Sequence, residues 1–169
     1  MRATDSPVPK RARSASGSPR PGARLLGRFG VYAVLGWGVE VCFTAAKDLL
    51  TGTGDSRLRG ESYVWMAPVY GAGGLAGEAV HHALRDRPIW KRAAAYALTF
   101  WALEAASGEA LRRTIGDVPW GDTYRGHPDQ LGDGLIRLSW APSWMAAGLA
   151  LEVVEPIVRR LRLAPKPEG

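Results

Sequence analysis

Four apolar stretches of this chain each carry a glutamate away from their ends: Glu40, Glu78, Glu104 and Glu152. They run at about residues 29–50, 62–84, 93–111 and 135–158. Each approaches the roughly 20 residues that a helix needs to cross ~30 Å of hydrocarbon. Breakers separate them: Thr51-Gly-Thr-Gly54, Arg85-Asp-Arg-Pro88, and a segment from Gly116 to Gly134. The pattern predicts an all-α protein, a four-transmembrane-helix bundle. The competing expectation is a soluble helical bundle, because the stretches are rich in Gly and Ala and Val69–Gly77 is barely apolar. Against it, the stretches lack the charged face along their central turns that a soluble amphipathic helix shows.

The charge distribution supports the membrane expectation. The net charge is +6, and mean hydropathy is near neutral only because residues 1–28 are almost wholly polar. That segment is basic and rich in Pro, Ser and Gly, the composition of a disordered tail. It contains no apolar core of a signal peptide. With four spans, this tail, the Arg85–Arg92 loop and the carboxy-terminal end, Arg159 and Arg160 with the tail at 161–169, share one face and hold fifteen of the 22 Lys and Arg residues. The remaining seven lie among acids on the other face. The positive-inside rule therefore predicts a multi-pass cell-membrane protein with both termini cytoplasmic. Trp65, Trp120 and Trp140 fall near one boundary and Trp90 near the other, as aromatic belts do. No nucleic-acid motif accompanies the basic charge, so nucleic acid is not an expected partner. The single Cys42 cannot pair within the chain and is expected to be a small packing residue.

The two halves of the 29–160 domain match. Tyr32, Trp37 and Glu40 recur 64 residues later as Tyr96, Trp101 and Glu104. Pro68, Gly74 and Glu78 recur 74 residues later as Pro142, Gly148 and Glu152. Two helical hairpins related by an axis along the membrane normal follow, the second with the longer loop. Chance matching of common residues is the alternative.

An ionised glutamate at mid-bilayer costs on the order of 2.5–3.5 kcal/mol on insertion scales. No Lys or Arg lies within the central turns, so the carboxyls must be protonated, share a cation or face water. Glu40, Glu104, Glu78 and Glu152, with Trp37, Trp101 and Tyr70 as neighbours, are therefore candidate ligand- or ion-binding residues. The four are expected to line one half of the bundle axis. Alternatively they are helix-to-helix glue, bonded to Trp37, Trp101, Tyr32 or Tyr70. Pro68 and Pro142 are expected to remove a backbone bond early in the returning helices, and Pro156 to free the carbonyl of Glu152. Gly73-x3-Gly77 fits a close packing face. His81 and His82 form an interfacial pair at a helix end. The acids Asp117, Asp122, Asp129 and Asp133, with His127, match no metal-ligand spacing. Gly71-x-Gly73-x-x-Ala76 lacks the strand and the later acid of a dinucleotide site. No phosphate loop, catalytic triad or zinc-protease motif is present, and no cofactor, metal or catalytic residue is assigned.

Gly36-Trp-Gly-Val-Glu40, Phe43-Thr-Ala-Ala46, Arg59-Gly60, Pro68-Val-Tyr-Gly-Ala-Gly73, Glu104-x3-Gly108, Pro119-Trp120, Gly134-Leu-Ile136 and Trp140-x-Pro142 together resemble the transmembrane protein 229 family. The same residues resemble bacterial CmpB-like membrane components of ABC transporters. The resemblance spans about residues 28–160. Trp-Asp-Tyr of that family stands here as Trp120-Gly-Asp-Thr-Tyr124, opened by two residues. The resemblance implies a multi-pass membrane protein. The expectation is a transport or ligand-handling component, with lipid and a homodimer mate or other membrane subunit as partners. The alternative is a structural or assembly protein that binds membrane proteins or lipids.

Overall fold

In a computed structural model of the chain, residues 21–54 and 56–161 are described. The bulk of both predicted tails, 1–20 and 162–169, lies outside the described residues. The protein is mostly helical, as expected.

Helix α1, Pro21–Thr51, begins eight residues before the predicted position 29. Pro21 is tolerated in a first turn, whose N–H groups lack helical partners. The following Ala-Arg-Leu-Leu favours helix. Helix α2, Met66–Leu84, starts later than the predicted 62. Residues 60–62 instead fold back onto α1. The Glu61 N–H donates to the Thr44 hydroxyl oxygen at 3.0 Å, and a Cβ on Gly60 would lie 1.9 Å from the Val41 carbonyl oxygen. Helix α3, Ile89–Ile115, overruns its predicted limits at both ends. Gly116 closes it in the left-handed conformation, φ 86°, with its N–H bonded to the Arg112 carbonyl at 3.1 Å.

Helix α5, Ala141–Arg160, starts six residues after the predicted 135. The residues before it form a cap: the short helix α4, Gly121–Tyr124, then strands β1, Gln130–Leu131, and β2, Ile136–Arg137. The strands pair antiparallel in the register Gln130↔Arg137 and Leu131↔Ile136. A 3₁₀ turn, Leu138–Trp140, leads into α5. The expectation for the prolines is corrected. Pro68 and Pro142 sit in the first turns of α2 and α5, where the missing N–H had no helical acceptor to lose. Pro156 does lie inside α5.

Helix α1 packs on α2 and α3 on α5, and α2 also touches α3 and α5. Three α2 glycines make this central place possible. A Cβ on Gly74 would lie 2.2 Å from the Tyr32 ring of α1, one on Gly73 3.3 Å from Leu103 of α3, and one on Gly77 3.0 Å from Leu151 of α5. Helix α1 is long and apolar enough to cross a membrane, and only 17% of its most apolar 18-residue stretch is buried. Cys42 lies exposed on that helix rather than packed.

Candidate functional site

The candidate glutamates fall in two layers, and the layers have different chemistry.

The first layer lies at the end where α2 passes into α3. The Tyr32 hydroxyl donates to Glu78 Oε1 at 2.8 Å, and Arg28 Nη1 lies 2.9 Å from Glu78 Oε2. The second hairpin repeats the arrangement. The Tyr96 hydroxyl donates to Glu152 Oε1 at 3.0 Å, and Arg92 Nη2 donates to Glu152 Oε2 at 3.0 Å. The arginines obey the same spacing as the tyrosines, since 92 − 28 = 64. Each arginine stands one turn before its tyrosine on the same helix face. Glu78 and Glu152 therefore have cationic partners, contrary to the expectation of uncompensated carboxyls. Helical Arg side chains lean toward the helix N-terminus, yet their length carries the guanidinium to the facing helix.

The second layer lies nearer the hairpin loops and holds Glu40 and Glu104. The Ser62 hydroxyl makes a short hydrogen bond to Glu40 Oε2, and the Tyr70 phenol faces the same carboxyl. The Tyr124 hydroxyl donates to Glu104 Oε1 at 2.7 Å. Trp144 lies against this carboxyl, although no hydrogen bond reaches Glu104 Oε2 or the Trp144 indole N–H. Ser62 and Tyr124 both come from the loop of their own hairpin. Tyr70 is within electrostatic reach of Glu40 and Glu104 alike, which makes the layer one cluster. Its partners are neutral hydroxyl and indole groups.

The symmetry extends to packing. A Cβ on Gly36 would lie 2.5 Å from Tyr70. The positions 64 and 74 residues on hold Phe100 and Trp144, whose ring centroids are 5.7 Å apart. The same cross-helix contact is thus filled by a small–large pair in one hairpin and two aromatics in the other.

Of the predicted neighbours, Tyr70 joins the cluster and the tryptophans do not. Trp37 is 38% exposed, and the Trp101 indole nitrogen is buried without a hydrogen-bond partner. Sequence reasoning missed Arg28, Arg92, Tyr124 and Glu155. Glu155 is only 4% exposed, and its i+3 spacing from Glu152 was the available signal. The cap acids are paired with arginines. Arg125 reaches Asp117 at 2.6 Å and Asp122 at 3.0 Å, and Arg137 lies 3.5 Å from Asp129. The Arg125 guanidinium, helped by the Val118 N–H, holds the Asp117 carboxyl below the usual carboxylate range. Ser139, through its hydroxyl and its N–H, does the same for Asp129. Trp120 is half-buried, donates to the Leu135 carbonyl at 3.1 Å and packs on Gly108. It anchors the cap. No group of three or more metal-ligating side chains occurs among the described residues.

No known family profile matches the chain. No solved structure matches it either.

Proposed function

We propose that the chain is a multi-pass membrane protein of four spans, α1, α2, α3 and α5, in two parallel hairpins. It acts as a transport or ligand-handling component that takes up a proton or small cation at Glu40 and Glu104. Both termini and the Arg85–Pro88 connection face the cytoplasm.

The exposure of large apolar side chains supports the membrane reading. Val34 is 69% exposed, Val39 67%, Leu98 64% and Val153 72%, on α1, α3 and α5. A water-soluble protein rarely leaves such faces uncovered on several elements. Lipid satisfies them at no cost. The loop charges and the resemblance to the transmembrane protein 229 family point the same way.

The observation that carries the site is the division between the two layers. Arg28 and Arg92 neutralise Glu78 and Glu152, so those carboxylates hold helices together. Glu104 is 8% exposed and meets only the neutral groups of Tyr124 and Trp144. A negative charge there needs a proton or a cation to balance it. The hydroxyls of Ser62, Tyr70 and Tyr124 can donate to a carboxylate or accept from its acid form, so the cluster accommodates either state.

Proton uptake by the purified protein in lipid nanodiscs tests this. The wild type is expected to take up more protons between alkaline and acid pH than a folded Glu40→Gln/Glu104→Gln variant. Equal uptake would leave the glutamates as helix glue, the role of a structural or assembly protein.

A further inference from the structure

We propose that His81 and His82 form a protonation-controlled latch between the two hairpins. This inference rests on the packing of α2 against α5 and not on the membrane reading. At this end of the bundle each hairpin is internally closed. Arg28 and Tyr32 of α1 hold Glu78 of α2, and Arg92 and Tyr96 of α3 hold Glu152 of α5. Among the described residues, the side-chain contacts that pass from α2 to α5 at this end run through the two imidazoles, while Arg92 of α3 also donates to the Arg85 carbonyl at the end of α2 at 3.2 Å. His81 Nδ1 lies 3.7 Å from Glu152 Oε1 and His82 Nε2 lies 3.1 Å from Glu155 Oε1. Both acceptors are on α5, whereas both histidines close α2.

The charges around the pair decide what a proton does. From α5 they are Glu152, Glu155 and Arg159; from α3, Arg92; from α1, Arg28 behind Glu78. Tyr32 and Tyr96 also sense Glu155, which places it between the two hairpins. The three buried or half-buried acids are balanced by three arginines while the imidazoles are neutral.

Glu155 Oε1 is shared. It accepts from Arg159 Nη1 at 3.1 Å, one turn along its own helix, and meets His82 Nε2 at the same distance. Arg159 also touches His82 directly. A neutral imidazole tolerates that neighbour, because its bare nitrogen accepts from the guanidinium. An imidazolium does not. Arg159 is 46% exposed and Glu155 only 5%, so the arginine moves to solvent and the acid stays. Protonation exchanges a pair within α5 for a pair between hairpins. At His81 the proton supplies a donor to Glu152 through Nδ1, a buried atom that otherwise has no hydrogen bond. The latch is closed when the imidazoles are charged and opens when they lose their protons.

Thermal unfolding of the full chain in nanodiscs at pH 5.5 and 7.5 tests the latch, with three proteins compared. The wild type is expected to melt several degrees higher at the lower pH. His81→Gln/His82→Gln should lose that rise, retaining only what other groups contribute. His81→Arg/His82→Arg, permanently charged, should melt at the higher temperature at both values. The latch is overturned if the Gln variant keeps the full rise, or if the Arg variant melts with the Gln variant. Should either variant fail to fold, crosslinking between the α2 and α5 ends of the wild type decides it. More crosslink at pH 5.5 supports the latch and an unchanged yield rejects it.

Discussion

Gly148 backs onto Tyr96 so closely that a Cβ there would lie 2.1 Å from the ring, and Gly74 meets Tyr32 in the same way at 2.2 Å. The absent side chains bring α2 to α1 and α5 to α3, and each tyrosine is thereby delivered to its glutamate. Gly74→Ala and Gly148→Ala are expected to destabilise by about 1–3 kcal/mol each, the range for overpacking. Gly38 faces open space. Gly38→Ala should be neutral or stabilise by up to ~1 kcal/mol, because alanine is the better helix former. Unfolding in detergent of the three single variants checks the difference in sign.

The Arg28–Glu78 pair is closed on the glutamate side, whose side chain is 7% exposed. Arg28→Met strands that carboxylate and should cost roughly 3–5 kcal/mol, the range for a broken buried pair. Adding Glu78→Gln should restore most of the loss. The same cycle with Arg92→Met and Glu152→Gln should show a smaller coupling, since Glu152 is 14% exposed. Losses that simply add in the double variant would mean that the pair contributes nothing.

Removing the hydroxyl that each hairpin loop delivers should weaken its hairpin. Tyr124→Phe and Ser62→Ala each take one donor from a carboxyl, an effect of about 1–3 kcal/mol. The loss should be larger for Tyr124, because Glu104 is buried and Glu40 only half-buried. Melting of the two variants side by side gives the order.

The cap should loosen in acid. The Asp117 and Asp129 carboxyls are both held below the usual carboxylate range, so their interactions stabilise the folded cap above the unfolded value near ~3.9. That contribution disappears as pH falls through the lower folded values. Fluorescence of Trp120, whose indole N–H is bonded to the Leu135 carbonyl, should report the change. Asp129→Asn should flatten the acid transition, and an unaltered transition in that variant would count against the assignment.

Much of this architecture was legible in the chain. The offsets of 64 and 74 residues identified Tyr32, Tyr96, Gly74 and Gly148 as corresponding positions, and the structure gives each pair the same contact. The helices were recognisable because apolar runs of that length have few other solutions. Their starts were not, because tertiary contacts set them. Arg28 was read as tail, yet it is helical and its partner lies 50 residues away. Ser62 was read as the start of α2, yet its hydrogen bond to Glu40, and that of the neighbouring Glu61 N–H to Thr44, hold this segment on α1. The cap escaped notice because its strands are two residues long and its glycine-rich turn, Gly132 to Gly134, looks like an open loop. Tyr124 reaches Glu104 only through that cap, so no local spacing linked the two.

The most direct test of the account is the sidedness of its loops. In a Cys42→Ser background, single cysteines at Ser56, Asp86 and His127 can be labelled in intact cells with a membrane-impermeant thiol reagent. Four spans in two hairpins require Ser56→Cys and His127→Cys to react from outside and Asp86→Cys to react only after lysis. Labelling of all three from the same side, or release of the chain by alkaline carbonate, would contradict the account.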